Sequence, residues 1–129
     1  QLLEQNGIRT HFVERLNDRE MLTKKVRIVP IEVVVRNVVA GSLAKRLGLK
    51  EGNRIDPAVV EFYYKNDGLG DPLVNDDHLR LMNVATPGVL RELRELGHAV
   101  NKVLKPFFAE RKICCWRTIF FQIRVVFGT

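Results

Sequence analysis

The chain has 129 residues, 46% of them hydrophobic and 28% charged, with 21 Lys and Arg against 15 Asp and Glu, a formal net charge of +6 and a pI near 9.7. This is ordinary globular material for one domain: no apolar run approaches the ~20 residues of a membrane span, and the start lacks the order of a secretory leader. A soluble, cytoplasmic protein is expected, and the adjacent Cys114 and Cys115 exclude a disulfide framework and offer no metal-ligand spacing.

Residues 1–6 read as the last turn of a helix that Gly7 stops. Residues 10–16 and 20–26 mix β-formers with polar residues around Asn17-Asp18-Arg19, which predicts a hairpin. Residues 28–39 are rich in β-branched side chains and predict the strongest strand. Pro30 near its start lacks an N–H and suits a strand end better than a central ladder position. Ser42 is placed to cap a short helix over residues 43–47 that Gly48 ends; a polar turn over 50–53 follows, and β pattern returns over 59–65.

Asn75 or Asp76 can cap a short helix reaching Leu81. Thr86-Pro87 then opens a long helix, with Leu90, Leu93, Leu96, Val100, Val103 and Phe107 as its apolar stripe and Pro106 expected to bend or end it. Residues 120–128 form an apolar β-like stretch with no evident partner strand. Both ends read as parts of something longer. His11, His78 and His98 fall on different elements without a second ligand at metal spacing, and suit surface or helix-end roles. Trp116 and the cysteines read as packing residues.

The chemistry concentrates in residues 29–42, a β run that carries Glu32 and Arg36 and closes on Ala40-Gly41-Ser42. On a strand Ile31, Val33 and Val35 share one face, expected to be core, and Glu32, Val34 and Arg36 share the other, expected to be a cleft wall. Glu32 and Arg36 stand about 13 Å apart along the strand, too far to pair, so a ligand spanning that face would serve both. Arg offers a planar fork to phosphate or carboxylate, Gly41 permits close backbone approach and Ser42 adds a hydroxyl. On the pattern alone, an edge strand with two solvated charges and a capping serine is the simpler reading.

The order apolar, Pro30, apolar, Glu32, β run, Arg36, three residues, Ala40, Gly41-Ser42 resembles the signature of SAICAR synthetases. Gly7-Ile8-Arg9-Thr10-His11-Phe12, the segment from Gly41 to Gly48, Glu61-Phe62-Tyr63-Tyr64-Lys65-Asn66-Asp67 and Asp71-Pro72 are similar to that family in order and spacing. The resemblance covers residues 1–112. It implies part of a two-lobed, ATP-grasp-like α+β fold with an antiparallel sheet and flanking helices. Residues 1–28 would end the nucleotide-binding lobe and link the lobes, 29–112 would belong to the central substrate-binding lobe, and 113–129 would be a divergent tail.

The activity implied is an ATP-dependent ligation of L-aspartate to carboxyaminoimidazole ribonucleotide, giving SAICAR, ADP and phosphate in purine biosynthesis, with ATP and Mg2+ as cofactors. By the same resemblance Arg36, Gly41 and Ser42 hold the ribonucleotide, and Glu32 meets its imidazole or the magnesium. Lys24, Lys25 and Ile28 lie in the segment that contacts adenine, chiefly through backbone, with Ile28 packing on the base. Lys65 lies near the ATP phosphates and Asp71 on the cleft side. Read alone, Lys24 and Lys25 are a solvated strand edge and Lys65 a surface residue.

The resemblance stops after the long helix. The family's upstream Gly-Lys-Ala-Lys phosphate loop would precede Gln1, and its Asp-x-Lys-x-Glu-Phe-Gly run meets Arg117, Ile119 and Phe121 at the charged positions when counted without gaps. Such a chain is expected to be inactive as a ligase. The codons of Cys114-Cys115-Trp116 read one base earlier give Leu-Leu, as the family has here, so a change of frame near Lys112 would account for the tail, a diverged natural C-terminus being the alternative. An inactive binding or oligomerisation module is the alternative to an enzyme. A nucleic-acid-binding domain is disfavoured, because the basic residues alternate with acids and no aromatic-interleaved basic patch occurs. A homo-oligomer is left open.

Overall fold

The computed structural model describes residues 1–125. Helix α1 (Leu2–Gln5) leads into strands β1 (Phe12–Arg15) and β2 (Met21–Thr23), which pair antiparallel as the expected hairpin. The turn is fixed by Asn17, whose Oδ1 accepts from the backbone N–H of Arg19 at 2.9 Å and of Glu20 at 3.1 Å, an Asx turn that replaces backbone bonds locally.

The second sheet holds β3 (Arg27–Val38), β4 (Arg54–Tyr64), β5 (Leu73–Val74) and β6 (Thr118–Val125) in the order β5-β4-β3-β6, all antiparallel. With α2 (Gly41–Leu47), α3 (Asp76–Leu81) and α4 (Pro87–Glu110) around it, the protein is α+β with an antiparallel sheet and flanking helices. β3 is central, flanked by β4 and β6, and Pro30 lies where its pairing with β6 shifts register between Ile28 and Glu32. A proline is tolerated in an inner strand at such an irregularity, since no ladder donor is needed there.

The core lies between this sheet and α4. Ile31, Val33, Phe62, Leu79, Leu90 and Leu93 form one buried cluster, so the face assigned to Ile31 and Val33 is the core face. Gly97 brings α4 close to the sheet: a Cβ there would stand 3.4 Å from Val33 Cγ1 and 3.5 Å from Val35 Cγ2 and Val60 Cγ1. Farther along, Asn37 and Asn101 are buried and exchange amide hydrogen bonds at 2.7 and 2.9 Å. The apolar stripe of α4 did not include Gly97 and Asn101, because neither residue type signals burial by itself.

Thr86 caps α4 by accepting from the Val89 N–H, and Asn75 caps α3 in a capping box closed by His78. Several expectations differ from the structure, three of them in the extent and pairing of the elements. α4 continues through Pro106 to Glu110: Pro106 is exposed, and the half-buried Phe107 and Phe108 hold the last turn against the protein. β4 begins at Arg54 rather than residue 59, because pairing with β3 resumes at Val38 and Arg54 beyond a register shift. The tail has a partner strand after all: β6 pairs with β3 from Arg36 and Thr118 to Arg27 and Val125, across a sequence separation that no local pattern displays. The rest of that predicted stretch, 126–128, lies outside the described residues.

Candidate functional site: a two-arginine cluster on the sheet face opposite the core

Paired residues on antiparallel strands share a face, so the pairs Glu32 with Tyr63 and Val34 with Glu61 put four residues of β3 and β4 on the side away from α4. Helix α2 returns over this side. Arg36, 5% exposed, donates from Nε to Glu61 Oε2 at 2.8 Å and from Nη2 to Ser42 Oγ at 3.0 Å and Tyr63 OH at 3.2 Å. Arg46 of α2 pairs through Nη2 with Glu61 Oε1 and donates from Nη1 to Tyr63 OH at 3.3 Å. Tyr63 in turn donates to Glu61 Oε2 at 3.2 Å.

Arg36 therefore has protein partners, contrary to the expectation that a ligand would be needed to satisfy it. Ser42 does not cap α2, whose N-cap is Ala40 without a side-chain bond; its hydroxyl serves Arg36 instead. Gly41 has φ +55 and open space where a Cβ would lie, and its N–H donates to Glu51 at 3.0 Å, so a left-handed backbone accounts for the glycine. Val34 is as buried as Val33, each 0% exposed, so this face is a cleft wall only around its charged residues.

Glu32 is half-buried and its side chain forms no hydrogen bond or ion pair among the described residues, although its charge acts on Lys65. Lys65, just past β4, pairs with Asp71, which also accepts from the Asn66 N–H at 2.8 Å. Asp71 has φ +48, a left-handed conformation that aspartate tolerates and that these bonds hold in place. The hydrogen bond from Lys65, reinforced by the Asn66 N–H, holds the Asp71 carboxyl below its ordinary range, and the same bond raises the Lys65 ammonium.

Glu32, Arg36 and Ser42 thus share one face with Lys65 and Asp71 beside them. Lys24 and Lys25 are exposed and have no side-chain bond to this group among the described residues; the Lys24 N–H donates to the His11 carbonyl at 2.7 Å. Ile28 is half exposed at the far end of β3. Sequence reasoning missed Glu61, Tyr63 and Arg46. The signals were present: Glu61, Tyr63 and Lys65 alternate on a strand, and Arg46 follows Ser42 by one helical turn.

The tail bears on the site through register. Ile119 pairs with Val35 and is buried on the α4 face, where a charged residue would lack water. The positions of Thr118, Phe120 and Gln122 are the ones opposite Arg36, Val34 and Glu32. No group of three or more His, Cys, Asp or Glu side chains able to hold a metal occurs among the described residues. Mg2+ typically takes one or two carboxylates and completes its shell with water and phosphate oxygens, a part that fits the Glu32 carboxylate, which has no partner among the described residues.

The class defined so far is an antiparallel α+β domain that gathers two arginines and two hydroxyls on one polar face, with a carboxylate that has no side-chain partner among the described residues and a lysine beside them, a chemistry that suits anions. A family model described as SAICAR synthetase matches residues 1–116, and the chain belongs to the SAICAR synthetase family. Phosphoribosylaminoimidazole-succinocarboxamide synthase of Bacillus mycoides (strain KBAB4) is 55% identical over 111 residues, 86% of this chain and 46% of that protein. The enzyme of the same name from Clostridium botulinum (strain Okra / Type B1) is 52% identical over 113 residues, 88% of this chain and 48% of that protein. The chain spans about half the length of these curated relatives.

Among solved structures, SAICAR synthetase from Pyrococcus horikoshii OT3 superposes with a TM-score of 0.88 at 37% identity, over 97% of this chain and 55% of that one. A Type-2 SAICAR synthetase in complex with ADP gives 0.89 at 37% identity, over 98% and 53%. Likeness of fold thus extends beyond residue 116, where the family match ends.

Proposed function

We propose that this chain carries the ribonucleotide-binding wall and part of the ATP cleft of a SAICAR synthetase, which joins L-aspartate to carboxyaminoimidazole ribonucleotide and yields SAICAR, ADP and phosphate. The observation that carries this reading is the buried Arg36, held at the centre of a polar sheet face by Glu61, Ser42 and Tyr63, with Glu32, whose side chain has no partner among the described residues, about 13 Å along the same strand. A cation fork at one end and a carboxylate at the other suit a ligand with an anion at one end and N–H donors or a metal-bound group at the other. Arg36 and Ser42 hold the ribonucleotide, Glu32 accepts from its imidazole or holds Mg2+, and Lys65, kept in place by Asp71, faces the ATP phosphates. Lys24, Lys25 and Ile28 contribute an exposed backbone edge and an apolar side chain to the adenine. ATP supplies the phosphoryl group that activates the imidazole carboxylate. Ligation brings several anions together, so fixed positive charge is what the protein must provide.

Calorimetric titration of carboxyaminoimidazole ribonucleotide into the 129-residue chain tests the reading. Saturable binding is expected, weakened in Arg36→Ala; equal affinity in both proteins would remove Arg36 from the site. A second reading, binding without ligation, is favoured by Ile119, which fills a core position where the resemblance expects a charge. It predicts ribonucleotide binding but no SAICAR when ATP, Mg2+ and L-aspartate are added, whereas SAICAR formation by the purified chain would exclude it.

A further inference from the structure

We propose that the cavity behind a bulge of β4, on the α4 side of the sheet, is a second binding site, and that its ligand is a free acidic amino acid held by Arg54, Asp56 and Lys105. It stands apart from the ribonucleotide reading, which concerns the opposite face.

The cavity follows from the register of β3 and β4. Val59 pairs with Arg36 and Arg54 with Val38, so residues 55–58 of β4 stand against Asn37 alone and the strand bows away from its neighbour. The bulge is pinned on its far side as well: the Val39 N–H donates to the Asn53 carbonyl at 2.8 Å, and the Gly52 N–H to the Val39 carbonyl at 2.9 Å. The space left is about 320 Å³, walled by Asn37, Arg54, Ile55 and Asp56 from the sheet and by Lys105 and Ala109 from α4. Asn37 is 2% exposed and its amide is fixed by Asn101, so the inner wall is set before any ligand arrives.

The charges at the rim select the ligand. Arg54, Asp56 and Lys105 are exposed, and none of their side chains forms a hydrogen bond or ion pair among the described residues. Elsewhere on the surface opposite charges meet, as in Arg15 with Asp18, Arg80 with Asp77 and Arg94 with Asp76. Here two cations and one carboxylate surround one cavity without pairing. An acidic amino acid at neutral pH carries the complement, two carboxylates and one ammonium. A phosphate or a plain dicarboxylate would suit the cations but be repelled by Asp56, and a neutral nucleoside would meet none of the three charges. The volume lies at the low end of the roughly 300–1,000 Å³ of small-molecule sites, which suits an amino acid better than a nucleotide.

L-glutamate is the probe, because L-aspartate is a substrate in the reading above and would report on both faces. Titrated into the isotope-labelled 129-residue chain, it should give saturable NMR shifts at the Ile55 and Ala109 amides and the Asn101 side chain, with Ser42 and Tyr63 unmoved. Glutarate, which lacks the ammonium, and L-glutamine, which lacks the side-chain carboxylate, should each bind more weakly. Arg54→Gln, Lys105→Gln and Asp56→Asn change exposed side chains, so their melting should match wild type, and each should lose about two- to fivefold in glutamate affinity. Asp56→Asn should also tighten glutarate, since losing the carboxylate removes a partner from the ammonium but a repulsion from the dicarboxylate.

No saturable shift at Ile55 and Ala109 would overturn the site, and shifts centred on Ser42 and Tyr63 would move the amino acid to the other face. Equal affinity for glutarate and L-glutamate, or tighter glutamate binding in Asp56→Asn, would overturn the ammonium contact and with it the choice of an amino acid. Unchanged glutamate affinity in both Arg54→Gln and Lys105→Gln would leave the carboxylates without partners and overturn the assignment of those cations.

Discussion

Arg36 and Glu61 form a buried ion pair, Nε to Oε2 at 2.8 Å, with side chains 6% and 9% exposed. Removing one partner of such a pair costs roughly 3 to 5 kcal/mol, because the other is left uncompensated out of water. The two partners are not equivalent here. Glu61→Ala leaves two guanidinium groups facing each other, whereas Arg36→Ala leaves Glu61 still paired with Arg46. Urea denaturation should show Glu61→Ala as the more destabilising substitution, and the reverse order would mean that Arg46 does not support Glu61.

Val33 and Val34 point to opposite faces of β3 and are both 0% exposed. Val34→Asp should therefore unfold the domain as fully as Val33→Asp, since either buries a carboxylate. A Val34→Asp protein that melts near wild type would show that the polar face is open at its centre.

The Asn37 and Asn101 amides exchange two hydrogen bonds across the interface of β3 and α4. Asn101→Leu should cost about 1 to 3 kcal/mol, the usual penalty for removing a hydrogen-bond partner from a buried polar group. Adding Asn37→Leu should cost less than its single effect in a double-mutant cycle, and strict additivity would contradict the pairing.

At Gly97 a methyl group would meet Val33, Val35 and Val60 at 3.4 to 3.5 Å, while alanine favours a helix over glycine by about 1 kcal/mol. Gly97→Ala should thus be neutral or stabilising by up to about 1 kcal/mol, and Gly97→Leu should cost about 1 to 3 kcal/mol or more by wedging α4 off the sheet. Melting temperatures of the two variants check this, and a stabilised Gly97→Leu would contradict the close approach.

The Asp71 carboxyl is held below its ordinary value of 3.8 by Lys65 and the Asn66 N–H. A depressed carboxyl contributes stability that is present above the unfolded value and lost as pH falls through the folded one. Lys65, raised above 10.5, contributes below that value and ceases to as pH rises through its folded one. NMR titration should find the Asp71 midpoint below 3.8 in wild type and shifted upward in Lys65→Met. An unchanged midpoint would separate the two residues.

Much of the fold was legible locally. The caps at Thr86 and Asn75, the Asx turn at Asn17, the Gly48 stop and the alternation of Ile31, Val33 and Val35 depend on residues within one or two turns of each other, and those short-range preferences survive folding. Family motifs name Glu32, Arg36 and Ser42 as one group, and of these the structure brings Ser42 against Arg36. Less legible were features set by distant partners. Ser42 looked like a cap because a serine before a helix usually is one, and only the approach of Arg36 gives its hydroxyl another use.

The sequence by itself determined the helices, the hairpin and the long strand β3, the core face of β3 and the family, because periodicity, capping chemistry and motif order are carried by neighbouring residues. Tertiary structure alone decided that Arg36 meets Glu61 across 25 residues and that Arg46 closes the same cluster. It also decided that β6 pairs with β3 and that Val34 is buried. The physical reason is the same in each case: which buried charge finds its counter-charge, and which strand edge finds its ladder, depends on chain segments far apart in sequence being packed together, and no local pattern encodes that meeting.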